Sequence, residues 1–252
     1  MDIRLEDKNA VVTGSSTGIG RAVALKFAES GANVVVHYYR FAEKAEELAE
    51  TIRKMGRKAV AVQADLGVTA DVEKLISRAA DFFEERIDIL VNNAGTLIQR
   101  TAFSEASEEY WDRLMSINFK SVFLCSQKVL PYMPKGSRII NISSVAARTG
   151  GGPGSVIYAA SKGGINTLTM GMAKELIGKG IWVNAIAPGV ITTPFHEKFT
   201  PPEVRQGFLQ NIPVRREGTP EEIASVAVFL ASRYSDYMVG AVVDVNGGLW
   251  VG

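Results

Sequence analysis

A single cysteine, Cys125, in 252 residues excludes an internal disulfide and points to a reducing compartment, the cytoplasm. Histidine is almost as scarce. His37 and His196 are the only two and no Cys-x-x-Cys occurs, so any metal site would have to lean on carboxylates, and no zinc is expected. No apolar run reaches the roughly 18 residues of a membrane helix, and the start, MDIRLEDKN, is too charged for a secretory signal. A soluble protein is expected. Charge of one sign is missing too: 28 basic residues against 27 acidic leave a net +1, which offers no broad field to nucleic acid or an anionic membrane.

What is present is a rhythm. Short β-branched runs (NAVVT, NVVVHY, KAVAVQA, IDILVNNA, SRIINIS, IWVNAIA and AVVDV) alternate with longer stretches of helical apolar spacing. This predicts an α/β fold: a doubly wound parallel sheet of about seven strands with helices on both faces, in one domain spanning 1–252. Gly31 and Gly56 are expected to end the first two helices, and Thr219 with Pro220, Glu221 and Glu222 to begin the last.

The stretch VVTGSSTGIGRAV supports two chemistries. Gly14, Ser16 and Gly18 spell the G-x-S-x-G elbow of serine hydrolases, whereas Gly14, Gly18 and Gly20 form a variant of the Rossmann dinucleotide fingerprint. A hydrolase needs an acid and then a histidine downstream, with the elbow after a middle strand. Here the motif follows the first strand, near Thr13, and only His196 remains as a base. The fingerprint needs less: a helix starting near Gly18, whose unpaired N–H groups face a pyrophosphate that the glycines let approach.

Tyr158 is the only one of seven tyrosines followed four residues later by lysine, in YAASK. At that spacing the phenol and the Lys162 ammonium share a helix face. Chemistry at a carbonyl needs an acid beside the oxygen, and a neighbouring cation is expected to lower a phenol from its usual value of about 10. IINISS carries a strand into Ser143 and Ser144, LVNNAG ends another strand with two amides, and Asn118 interrupts the apolar run LMSINFKSVFL. These groups converge on the strands' C-terminal edge, where open α/β sheets bind ligands.

Taken together, TGSSTGIG (Thr13 to Gly20), DL (Asp65, Leu66), NNAG (Asn92 to Gly95), Asn118, SS (Ser143, Ser144), YAASK (Tyr158 to Lys162), PGVITT (Pro188 to Thr193) and NGG (Asn246 to Gly248) resemble the short-chain dehydrogenase/reductase family over essentially the whole chain. Glucose 1-dehydrogenase-like and 3-oxoacyl-carrier-protein reductase-like members look nearest. The resemblance implies an enzyme that interconverts a secondary alcohol and a ketone by hydride transfer. Tyr158 would be its general acid and base, Lys162 would tune the phenol and bind the nicotinamide ribose, Ser144 would bind the substrate oxygen, and Asn118 would hold a water. It places the cofactor along Gly14, Ser16, Thr17, Gly18, Ile19, Gly20, Tyr38, Arg40, Asp65, Leu66, Asn92, Ala94, Gly95, Pro188, Gly189, Ile191 and Thr193, beside Tyr158 and Lys162. Among these, Asp65 would contact adenine, Asn92 would line the cofactor, and Ile191 and Thr193 would meet the carboxamide.

Charge bears on which cofactor. NAD-binding relatives carry an acid about 20 residues past the glycines, but here Tyr38 stands there and Arg40 is within reach of a 2′-phosphate. NADP(H) is favoured. Thr17, where many NADP-binding relatives are basic, leaves NAD(H) or dual use open. Gly163, Gly164 and Gly171, costly inside a helix, suggest close backbone approach to a partner subunit, and the resemblance implies a homotetramer. The substrate is expected to be a small molecule, a sugar, polyol or related hydroxy compound, under a loop at about 194–216 together with Thr96, Leu97 and the loop after Arg148. A 3-oxoacyl-carrier-protein reductase, with Lys128 and Lys174 facing an acidic carrier, is the alternative, and a catalytically silent NADP-sensing protein is the reading from another class.

Overall fold

Val34, Val35 and Val36 are all fully buried, because the strand they form is covered on both faces. The computed structural model describes residues 3–200 and 202–252, the side chains of 202 and 203 excepted. Met1 and Asp2 of the charged start, and Pro201 of the expected substrate loop, lie outside the described residues. The strands are β1 (Asn9–Val12), β2 (Asn33–Tyr38), β3 (Ala59–Gln63), β4 (Ile89–Asn92), β5 (Ser137–Ile142), β6 (Ile181–Pro188) and β7 (Val242–Val245). They form one sheet in the order β3-β2-β1-β4-β5-β6-β7, and every pairing is parallel. The expected seven-stranded α/β sheet is present.

The helices are α1 (Gly18–Glu29), α2 (Ala42–Lys54), α3 (Thr69–Phe82), α4 (Glu108–Met115), α5 (Ser121–Val129), α6 (Ala146–Thr149), α7 (Val156–Leu176), α8 (Pro194–Phe199), α9 (Pro202–Asn211) and α10 (Pro220–Ala231). Two cores result. Ala10, Val12, Val34 and Val36 pack with residues of α1, α2 and α10, while Val11 and Val35 pack with residues of α3, α5 and α7. That alternation is the period of two that a strand imposes. Gly31 and Gly56 stand two residues past α1 and α2, and Thr219 caps α10 in a box with Glu222, as the sequence predicts.

Three features position the site. The sheet order reverses between β1 and β4, which opens a crevice at the C-terminal ends of these strands. Between α4 and α5 the chain widens into a π-helical segment, Ser116–Lys120, with Asn118 fully buried inside it. Such a widening turns a side chain out of the helical register, a common device at functional sites. The segment after β6 is not a plain loop, for it carries α8 and α9. Among the described residues no helix is long and apolar enough to cross a membrane.

Candidate active site

The turn between β1 and α1 is built around Gly14, whose φ of 62° favours a residue without Cβ. A Cβ there would also meet the Ala94 Cα at 2.9 Å, so this glycine lets the turns after β1 and β4 touch. A Cβ on Gly18 would meet Thr193 Cγ2 at 3.4 Å, which brings the loop after β6 to the same place. Thr17 precedes α1 with no side-chain cap, and no acid stands in the first turn. The first-turn amides and the positive end of the helix dipole therefore suit a phosphate. Arg40 lies exposed beyond β2 with its guanidinium over the Tyr39 ring, 5.0 Å from the centroid, and among the described residues it has no carboxylate partner. A nicotinamide dinucleotide fits this cradle, and the open guanidinium edge suits a 2′-phosphate.

Beside it, Tyr158 and Lys162 occupy successive turns of α7. Lys162 is buried, donates through Nζ to the Ile142 carbonyl at 2.8 Å, and lies 5.8 Å from the centre of the Tyr158 ring. Burial pushes its amine down from 10.5 to about 8. A Cβ at Gly95 would lie 3.3 Å from Nζ and 3.5 Å from Asn118 Oδ1, so Gly95 makes room for both. Asn118 is clamped in place: Oδ1 accepts from Thr96 N, and Nδ2 donates to the Thr96 carbonyl, both at 2.8 Å, and to Ser161 Oγ at 3.3 Å. The two serines divide their duties. Ser143 is buried and donates to the Lys162 carbonyl at 3.1 Å, whereas the half-buried Ser144 is the hydrogen-bond neighbour of the Tyr158 phenol.

The phenol departs from the expectation that Lys162 lowers its pKa. In the free protein burial raises it from 10.0 to about 12, and the Ser144 hydrogen bond only partly opposes this. The ammonium is drawn towards the Ile142 carbonyl rather than the phenol, so desolvation dominates.

Other expected cofactor residues are spread along the same edge, with corrections. Asn92 is buried, and its amide donates to Ser126 Oγ and Asn141 Oδ1, so the side chain belongs to the core and does not line the crevice. Asn93 faces the glycine turn instead, donating to the Thr13 and Gly14 carbonyls at 2.9 and 3.0 Å. The side chains of Leu66 and Ile191 are likewise buried in the two cores, which leaves only their backbones for a ligand. The Asp65 carboxylate is engaged by Arg113 at 2.7 Å and by Gly67 N at 2.9 Å. Burial opposes its ionisation, but these partners outweigh burial and hold it below the usual range. Ser16 is buried in the turn, Ile19 and Gly20 lie in the first turn of α1, Tyr38 ends β2, Ala94 adjoins Gly14, Pro188 ends β6, and Gly189 follows it against Asn246.

Sequence reasoning also missed an aromatic wall. Phe195 of α8 lies tilted against Tyr158 with ring centroids 5.6 Å apart, and Phe199 backs it at 5.1 Å. Arg100 ties this segment down, donating to the Phe199 carbonyl at 2.7 Å and to the Pro153 carbonyl at 2.6 Å. Ile98 holds a left-handed φ of 62°, strained for a β-branched residue, while Tyr110 pins the carbonyls on either side of it. A cavity of about 480 Å³ lies at the opposite edge of the sheet, lined by Asn9, Asn33, Arg57, Lys58 and Arg86. Its cations are already paired with Glu6, Glu84 and Asp88, so the chemistry is not there. Among the described residues no three His, Cys, Asp or Glu side chains gather as a metal site would require.

Comparison with known proteins agrees with this geometry. A family model described as enoyl-(acyl carrier protein) reductase matches residues 14–250. The chain is 39% identical over 246 residues to the 3-oxoacyl-(acyl-carrier-protein) reductase FabG of Staphylococcus aureus, covering 97% of this chain and 98% of that protein. It is 39% identical over 248 residues to glucose 1-dehydrogenase 2 of Bacillus subtilis, covering 97% and 95%. The crystal structure of a short-chain dehydrogenase from Burkholderia cenocepacia in complex with NADP superposes with a TM-score of 0.92 at 30% identity, covering 98% of this chain and 99% of that one. With a glycine cradle, a Tyr–Lys pair and relatives matched from end to end, the chain belongs to the short-chain dehydrogenase/reductase family, oxidoreductases that act on CH–OH groups with NAD or NADP.

Proposed function

We propose that the protein interconverts a ketone and a secondary alcohol with NADP(H), using Tyr158 as acid and base. The observation that carries this reading is the convergence of Ser144, Tyr158, Lys162 and Asn118 beside a glycine cradle with Arg40 at its rim, which has no carboxylate partner among the described residues. Gly14, Gly18, Gly20 and the first turn of α1 would hold the pyrophosphate, Arg40 the 2′-phosphate, and Gly95 and Lys162 the ribose beside the nicotinamide. The bound nicotinamide supplies a hydride to the carbonyl carbon or accepts one from the alcohol.

The chain's own residues manage the oxygen and its proton. In reduction the Tyr158 hydroxyl gives its proton to the developing alkoxide, and Ser144 donates a hydrogen bond to the same oxygen. In oxidation the phenolate takes that proton back. A phenol held near 12 is a ready donor to an alkoxide but a poor base, so oxidation requires the Lys162 ammonium to stabilise the phenolate once the site is filled. Asn118, fixed by Thr96 and Ser161, holds a polar path open behind Lys162.

The aromatic wall of Phe195 and Phe199 supports a substrate with an apolar flank next to its carbonyl over a sugar or polyol, whose hydroxyls would find no partner there. A 3-oxoacyl thioester on an acidic carrier protein is the second reading, favoured by the end-to-end match to FabG. Against it, Lys128 is already paired with Glu73 at 2.7 Å. An intact pair of a half-buried Tyr158 and a buried Lys162 speaks against a silent NADP sensor. Among the described residues outside their own helix nothing comes within 4 Å of a Cβ on Gly163 or Gly171, and α4, α5 and α7 expose Trp111, Phe123 and Met170, which supports a homotetramer; Gly164, by contrast, makes room within the chain, for a Cβ there would meet the Phe119 ring at 2.9 Å. One continuous sheet supports a single domain, and the lone buried thiol a reducing cytoplasm.

The test is a screen of aryl and alkyl ketones, 3-oxoacyl thioesters, sugars and polyols with NADPH and NADH, followed at the reduced-nicotinamide band. NADPH-dependent turnover of apolar ketones is expected. Turnover of sugars alone would overturn the substrate assignment, and coenzyme binding without any turnover would overturn the catalytic one.

A further inference from the structure

One of the two histidines is buried beneath the glycine turn. His37 stands one residue before the end of β2, 2% exposed, and its ring nitrogens face two different elements. Nδ1 lies 2.8 Å from the Gly14 nitrogen, and Nε2 lies 3.1 Å from the Ala64 carbonyl oxygen. A backbone nitrogen only donates and a carbonyl only accepts, so the partners fix the neutral Nε2–H tautomer, which accepts from Gly14 and donates to Ala64. The main chain is tied to the turn as well: Ser15 N donates to the His37 carbonyl at 2.9 Å, and His37 N donates to Ser15 Oγ at 3.0 Å. Asn93 meanwhile donates to the Gly14 carbonyl. Gly14 is therefore held at its nitrogen by β2 and at its oxygen by the loop after β4, in a left-handed conformation.

We propose that His37 is a positioning residue for the coenzyme: its neutral imidazole holds the Gly14 turn in the shape that cradles the phosphates and joins that turn to Ala64, next to Asp65. The inference rests on the reading of this crevice as the coenzyme site. Without the imidazole acceptor the partly buried Gly14 N–H loses its partner, and turns that satisfy it elsewhere gain population. Apparent coenzyme affinity then falls by the fraction of molecules that still hold the binding turn. A protonated ring would act in the same direction by aiming a second N–H at the Gly14 N–H. The reacting end of the site, at Ser144 and Tyr158, has no contact with His37, so turnover at saturating coenzyme is left nearly as it was.

The experiment compares wild type, His37→Leu and His37→Asn by NADPH fluorescence titration and steady-state kinetics. Leucine fills the core but offers no acceptor, whereas asparagine fills it less well and keeps an oxygen for Gly14. The expected result is an NADPH Kd raised about tenfold in His37→Leu, with kcat changed by less than about twofold, and recovery of most of the affinity in His37→Asn. A packing role predicts the reverse order of the two variants, and that order would overturn the proposal, as would an unchanged Kd in His37→Leu. If the leucine variant does not fold, nitrogen-15 spectra of the wild type decide: with only two histidines, the ring signal lost in His37→Asn is that of His37. It should show Nε2 protonated and Nδ1 bare, and the opposite tautomer overturns the proposal. Wild type that binds neither NADPH nor NADH removes the coenzyme reading itself, and this inference with it, which distinguishes that failure from a variant effect on a protein that does bind.

Discussion

Lys162 is the side chain whose removal separates stability from activity most sharply. Burial lowers its amine from 10.5 to about 8. At about 1.4 kcal/mol per tenfold change in proton affinity, that drop works against the fold by about 3 kcal/mol wherever both states carry the charge, below pH 8. Methionine has nearly the same length and no charge. Lys162→Met removes the penalty but also deprives the Ile142 carbonyl of its donor at 2.8 Å, a loss of about 1 kcal/mol. The net is a gain of about 2 kcal/mol near neutral pH, or a melting temperature higher by roughly 4–8 °C for a chain of this length. The sign with pH is fixed: as pH rises from 8 through 10.5 the unfolded wild type holds the proton longer than the folded, so wild-type stability recovers and the variant's advantage vanishes. Activity moves the other way, with kcat down about 100-fold or more, since the phenolate loses its stabilising cation. Urea melts of both proteins at pH 7 and pH 10.5, with turnover measured alongside, check this. A variant less stable than wild type at pH 7, or an advantage that does not shrink with pH, would refute the reasoning.

Arg40→Ala should weaken NADPH binding about tenfold and leave NADH unchanged, because it removes one charge-assisted contact at the rim; a titration with both coenzymes measures it. Phe195→Ala should raise KM for aryl ketones about fivefold or more with little effect on small polar ones, since it removes the ring that faces Tyr158. Light scattering should return the mass of a tetramer, and a monomer over a wide concentration range would contradict the assembly assigned to α4, α5 and α7.

Much of the fold was legible because a parallel sheet buries both faces, so NVVVHY and IINIS stand out as apolar runs. The Tyr158–Lys162 pair was legible because helical spacing alone puts the two side chains on one face. Other features depended on contacts that spacing does not encode. Of the two amides in LVNNAG, strand alternation turns Asn92 into the core and leaves Asn93 for the glycine turn, and the choice depends on where β4 ends. The π-helical turn at Ser116–Lys120 reads as ordinary helix, since no Gly or Pro marks it. His37 meets Gly14 and Ala64 across 23 and 27 residues, so nothing local announces its role. The phenol's rise to about 12 came from burial, which sequence spacing cannot weigh against a nearby charge.

The central claim is that the Tyr158 hydroxyl is the proton donor. Tyr158→Phe deletes that one atom and leaves the ring against Phe195. Ketone reduction measured with a single turnover of prebound NADPH should then slow by about 100- to 10,000-fold while NADPH affinity stays at the wild-type value. Reduction at an undiminished rate in that variant would contradict the account.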